Sequence, residues 1–107
     1  MEVVWMPHAL ASLDIAFNQA YDLFGERVAK KVVEDIFSHN KLLASFPYIG
    51  RQEPYLSHLP ALYRSLVVHK HYKLVYRVDD IRQTVYIVAL WDTRRNPQQM
   101  DNDVTHK

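Results

Sequence analysis

Apolar residues along this chain change their spacing once, near position 60, from the three-and-four rhythm of helices to the alternation of strands. Before that point, Glu2 to Met6 (EVVWM) is a short β-branched and aromatic run stopped by Pro7, which predicts a strand at the N-terminus. Pro7 also suits the first turn of a helix, where its missing backbone N–H costs nothing. Leu10, Leu13, Phe17, Ala20 or Tyr21, and Phe24 then recur as one apolar stripe, predicting an amphipathic helix closed by Gly25. A second stripe of Val28, Val32 and Ile36, with Val33 and Phe37 beside it, runs to Leu43 before Phe46-Pro47 stops it. Two such helices in succession form a hairpin.

Phe46 to Pro60 holds three of the five prolines and one of the two glycines, the composition of an irregular connection with turns. Arg64 to Val68, His71 to Val78 and Thr84 to Trp91 are then read as three antiparallel strands, with Asp79-Asp80 as a turn. In the second of these, Tyr72, Leu74, Tyr76 and Val78 face one way and His71, Lys73, Val75 and Arg77 the other. The expected fold class is α+β: an N-terminal strand, a two-helix hairpin, then a three-stranded antiparallel sheet. The hairpin should cover one sheet face and leave the other partly open for function. Residues 1–97 are expected to form one domain, and 98–107 a polar tail whose last residues fray.

Composition narrows the class. With 107 residues, 49% hydrophobic and 23% charged, the chain is of a size and make-up for one globular core. It has no cysteine, which excludes a disulfide scaffold and thiolate metal sites. No basic leader and no long apolar run is present, so a cytoplasmic protein without a membrane segment is expected.

The net charge of +1 argues against nucleic-acid binding by the whole surface, but eight of the thirteen lysines and arginines lie between Arg51 and Arg95. No phosphate loop, nucleophile elbow or zinc-protease motif occurs. His69 and His71 have no acid beside them in sequence with which to bind a metal, so neither a metal site nor a cofactor is expected. The chemically capable residues are Arg64, His71, Lys73 and Arg77 on the predicted strands and His69 in the break between the first two. Arg94 and Arg95 follow the last strand, and Arg51 lies in the connection. Arginine and lysine donors match phosphate or carboxylate, so an open sheet face carrying them would hold an RNA backbone or an acidic protein; alternation alone also places such residues on any solvated strand face.

Taken in order, Trp5-Met6-Pro7-x-Ala9, Pro47-Tyr48-Ile49-Gly50-Arg51 and Tyr63-Arg64-Ser65-Leu66-Val67-Val68 resemble the RelE/ParE toxin superfamily. Tyr72-Lys73-Leu74-Val75-Tyr76-Arg77-Val78 and the run from Val85 through Trp91-Asp92-Thr93-Arg94-Arg95-Asn96-Pro97 continue the resemblance, which spans roughly residues 2 to 97. It implies a growth-inhibiting toxin of a type II toxin–antitoxin system, held in a hetero-oligomer by an antitoxin that covers apolar and basic surface. RelE-like members cleave messenger RNA on the ribosome, whereas ParE-like members act on DNA gyrase without recognised catalytic residues.

For a nuclease, Arg64, Lys73, Arg77, Arg94 and Arg95 would supply cations and His69 or His71 a base. The histidine or tyrosine that many nuclease members carry after the last strand is replaced here by Asp92-Thr93-Arg94-Arg95, and His106 is a poor substitute. The reading therefore favours a ParE-like toxin, with Arg51, Arg64, Lys73, Arg77, Arg94 and Arg95 contacting target or antitoxin. A ribosome-dependent endonuclease and a degenerate, non-toxic antitoxin-binding protein are the alternatives.

Overall fold

The computed structural model describes residues 1–105. Strand β1 (Glu2–Trp5) leads into α1 (Pro7–Phe24) and α2 (Glu26–Phe37), and a shorter α3 (His39–Ser45) follows. Then come β2 (Arg51–Gln52), a 3₁₀ turn at Pro54–Leu56, β3 (Arg64–His69), β4 (Tyr72–Asp79) and β5 (Thr84–Asp92). A second 3₁₀ turn (Pro97–Gln99) and α4 (Met100–Thr105) complete the described chain. The strands form one sheet in the order β1-β5-β4-β3-β2, with β1 parallel to β5 and the other neighbours antiparallel.

The α+β class and the helical hairpin on a sheet agree with the sequence reading, and the sheet is larger than expected. Two strands flank the predicted three: β1 joins as a parallel edge, and Arg51–Gln52, placed in the loop by its prolines, pairs with Ser65 and Arg64. The connection from β1 to β5 leaves room for this parallel pairing because the whole hairpin lies between them in sequence.

The stripe on α1 is rotated from the one predicted. Ala9, Leu13 and Ala16 are buried with Ala20 packed beside them, whereas Leu10, Tyr21 and Phe24 are exposed. Small residues at these positions let the α1 backbone approach α2 and β5 closely, and the larger side chains then point outward. Gly25 takes φ +88 and its N–H donates to the Tyr21 carbonyl. Its own carbonyl accepts from Ala29 N–H, so one residue ends α1 and starts α2.

The second helix does not run unbroken to Leu43. The Ser38 hydroxyl and His39 Nδ1 both donate to the Asp35 carbonyl, at 2.7 and 2.8 Å, and this competition with the ladder turns the chain into α3. Leu43 is still buried, in the same core as Ile36, Leu74, Tyr76 and Ile87.

The opposite sheet face is not open along its length. The connection between β2 and β3 and the C-terminal segment fold over it and bury Leu56, Val75, Ala89, Trp91 and Met100 in a second cluster. The segment expected as a polar tail thus includes a helix whose Met100 is fully buried and whose Val104 packs beside it. His106 lies outside the described residues. Among the described residues, no helix is long and apolar enough to cross a membrane.

Candidate binding surfaces

The strand register decides which basic residues share a surface. Side chains at Leu66, Leu74 and Leu90 face the helices, so their partners one position along, Val67, Lys73 and Trp91, face the other way. Lys73 and Arg77 are therefore on the far face, while Arg64 lies on the helix side at the opposite end of β3 from His69. Five residues of strand separate those two by about 17 Å.

Three cations on or beside the far face have intramolecular partners. Lys73 forms an ion pair and a short hydrogen bond with Glu53, a carboxylate only 1% exposed that also accepts from Tyr55 N–H at 3.1 Å. Burial pushes the Glu53 pKa up, but the Lys73 hydrogen bond, the Tyr55 N–H and the Lys73 charge outweigh it and hold the carboxyl below the usual 4.5. Arg77 lies 4.4 Å over the Tyr86 ring. Arg95 stacks 4.2 Å over Trp91 and pairs with Asp103 of α4 at 2.9 Å. His8 and His58 approach Asp103 and Asp101 at 3.4 and 3.3 Å, so the short C-terminal helix is held by polar ties on three sides.

Arg64 does structural duty at the sheet edge, donating to the Gly50 carbonyl at 2.9 Å and lying 5.4 Å over the Tyr48 ring. Arg51 is exposed on β2. The candidate residues that do come together are His69, His71 and Arg94, which line a cleft of about 820 Å³ between the hairpin and the β3–β4 turn. Arg94 is forked onto Asp92 at 3.0 and 2.8 Å. Those hydrogen bonds hold the Asp92 pKa low despite the partial burial that raises it. The proposed catalytic set of Arg64, His69, His71, Lys73 and Arg77 is thus divided between two faces and two ends of the sheet. Of the candidate cations, Arg94 lies beside His69 and His71, whereas Arg64, Lys73 and Arg77 lie away from them.

The cleft brings in residues that the sequence reading gave to helix stripes or did not place at a site. Ala16, Ala20, Val28 and Val32 form its apolar wall, and Leu23 and Phe24 stand at its mouth, 74% and 68% exposed. Arg27, Lys30, Lys31 and Lys70 line it with Arg94, against Glu34. The signal available in sequence was Leu23-Phe24 directly before Gly25, where two large apolar residues cannot both face inward at a helix end.

The family described as the ParE toxin of type II toxin-antitoxin system, parDE, matches residues 3–97. The chain belongs to the ParE toxin family. A solved chain of the chromosomal ParDE TA system from P. aeruginosa is similar in structure, with TM-score 0.69 and 25% sequence identity, covering 86% of this chain and 95% of that one. No curated protein matches the sequence. Membership of the ParE family accords with the five-stranded sheet and its hairpin, and the match ends at Pro97, before α4 begins.

Proposed function

We propose that this ParE-family chain inhibits growth in the cytoplasm by binding DNA gyrase, without catalysis of its own, and that a cognate antitoxin neutralises it as a hetero-oligomer. The observation that carries the non-catalytic reading is the dispersal of the nuclease candidates. His69 and His71 lie at the helix-side cleft, Lys73 and Arg77 lie on the far face, and Lys73 is bound to buried Glu53. In-line attack by a ribose 2′-hydroxyl needs a base and cations around the same phosphate; Arg64, Lys73 and Arg77 lie away from the histidines, and Arg94 beside them is already forked onto Asp92. An antitoxin partner follows the ParDE relationship and suits a surface that leaves Leu23 and Phe24 in water.

The test pairs two purified systems. The toxin is mixed with gyrase on supercoiled plasmid and, separately, with translating ribosomes on a defined messenger. Inhibited or trapped gyrase with intact messenger is the expected result. Phased cuts in the messenger with gyrase unaffected would overturn the reading, and growth unaffected by induced expression would identify a degenerate toxin.

A further inference from the structure

At the end of the sheet away from the cleft, the β4–β5 turn holds Ile81 with 96% of its surface in water, more than any other large hydrophobic side chain among the described residues. The turn beneath it is well ordered. Asp79 Oδ1 accepts from Arg82 N–H at 3.0 Å, Gln83 Nε2 donates to the Asp80 carbonyl at 2.6 Å, and the Thr84 hydroxyl donates to the Arg82 carbonyl at 2.9 Å. Gln83 takes φ +51, a conformation that costs a residue with a side chain some strain. Ile81 belongs to neither core cluster, so this order presents the side chain outward and serves no packing inside the molecule.

Tyrosines and arginines surround the tip in a connected set. The Tyr48 hydroxyl donates to Asp80, next to Ile81, and Arg64 lies over the Tyr48 ring. Ile49 follows Tyr48 in the chain, and both are about half exposed. On the other side of the turn Arg77 lies over Tyr86, while Tyr86 by hydrogen bonding and Asp79 by its charge raise the Arg82 pKa. Arg82 is 3.9 Å from Asp79 with most of its side chain in water, a weak pairing. Arg64 and Arg77 are stacked on rings but form no ion pair among the described residues. Stacking fixes the plane of a guanidinium and leaves N–H groups at its edge to donate.

Given that the chain acts by binding gyrase, on which this inference rests, we propose that this tip is the surface that meets the target, and that it docks on an acidic patch of that protein beside an apolar hollow. Ile81 fills the hollow, with Ile49 and Tyr48 at its margin, and Arg64, Arg77 and Arg82 face the carboxylates. Charge complementarity decides the sign of the partner: Asp80 is taken up by Tyr48 and Asp79 by the turn, whereas two of the three arginines have no counter-charge. The isoleucines decide its class, because a nucleic-acid backbone has no aliphatic surface to bury them. Tyrosine and arginine around an apolar anchor, held in place before contact, is the composition of a protein interface centre.

The experiment measures the action of purified gyrase on plasmid DNA, as inhibited supercoiling or trapped complexes, against four full-length toxins: wild type, Ile81→Asp, the double variant Arg77→Glu with Arg82→Glu, and Ile15→Asp. Ile15, 58% exposed on α1, is the control for an aspartate placed at an exposed isoleucine. Circular dichroism and the thermal midpoint check that each variant folds. Ile81→Asp should raise the toxin concentration needed for half the effect about tenfold or more, as loss of an interface anchor does. The double charge reversal should raise it too and flatten its salt dependence, and Ile15→Asp should act as wild type does. Equal action of wild type and both tip variants overturns the proposal while leaving the gyrase reading intact. No action by wild type overturns both. Binding of the toxin to plasmid without gyrase that the charge reversal abolishes, with Ile81→Asp as active as wild type, assigns the arginines to DNA and overturns the proposal. A concentration-dependent dimer of the toxin that Ile81→Asp dissociates, with action on gyrase unchanged, assigns the tip to a second copy and also overturns it.

Discussion

The two faces of the sheet are covered by different means. On one, α1 and α2 lay apolar stripes over Leu74, Tyr76, Val85, Ile87 and Leu90 in a cluster of hydrophobic side chains. On the other, a proline-rich connection and the six-residue α4 cover Val75, Ala89 and Trp91, tied down by Glu53–Lys73, Arg95–Asp103 and two histidine–aspartate contacts. A helix of six residues has almost no stability of its own, so its position depends on those ties and on Met100. The first face is held by area and should respond to cavities. The second is held partly by charge and should respond to pH and to loss of a single partner.

Leu74→Ala strikes the helix-covered face at a fully buried position and should cost about 3–4 kcal/mol in chemical denaturation, independent of pH near neutrality. A loss under about 1 kcal/mol would show that this face repacks freely, which a close-packed hairpin does not allow.

Lys73→Met strands the buried Glu53 carboxylate on the opposite face and should cost about 3 kcal/mol at neutral pH. Replacing both residues, with Glu53→Gln added, should recover most of that. The pH dependence has a definite sign. The folded pKa of Glu53 is depressed below 4.5, so its contribution is present above that value and is lost as pH falls through the folded pKa. In Lys73→Met the deficit should shrink in acid, because a neutral carboxyl needs no counter-charge. A deficit that stays constant from neutral to acid pH would remove the electrostatic account.

Gly50→Ala tests the edge where the two faces meet. A Cβ there would lie 2.6 Å from the Tyr76 hydroxyl and 2.7 Å from the Ser65 carbonyl oxygen, and Gly50 N–H also donates to that hydroxyl at 2.8 Å. Backbone must move to admit the methyl, so about 2 kcal/mol of stability should be lost, read as a lower denaturation midpoint. Unchanged stability would mean that this edge yields easily.

Met100→Ala should have the smallest effect, about 1 kcal/mol, below the ~2–5 typical of a rigid core site, because α4 can detach locally instead of leaving a cavity. Trp91 would then be uncovered, and its fluorescence should shift to longer wavelength before global unfolding. A full core-sized loss with no separate Trp91 transition would make the two covers equivalent.

The order and type of the main elements were legible because periodicity and punctuation are local properties. Pro7, Gly25 and Phe46-Pro47 mark helix ends, and alternation marks β3, β4 and β5 wherever they pack. The family was legible for a related reason, since its short runs occur in order along the chain.

The site was less so. Whether Phe24 or Ala20 faces the core depends on how closely α1 lies to α2. Whether Lys73 is a free cation depends on Glu53, twenty residues away, and whether the far face is open depends on Met100. The sequence by itself determined which residues alternate and where each element stops. Only the tertiary structure decided which face of each element meets which neighbour, because burial and ion pairing are properties of contacts between segments that no local pattern encodes.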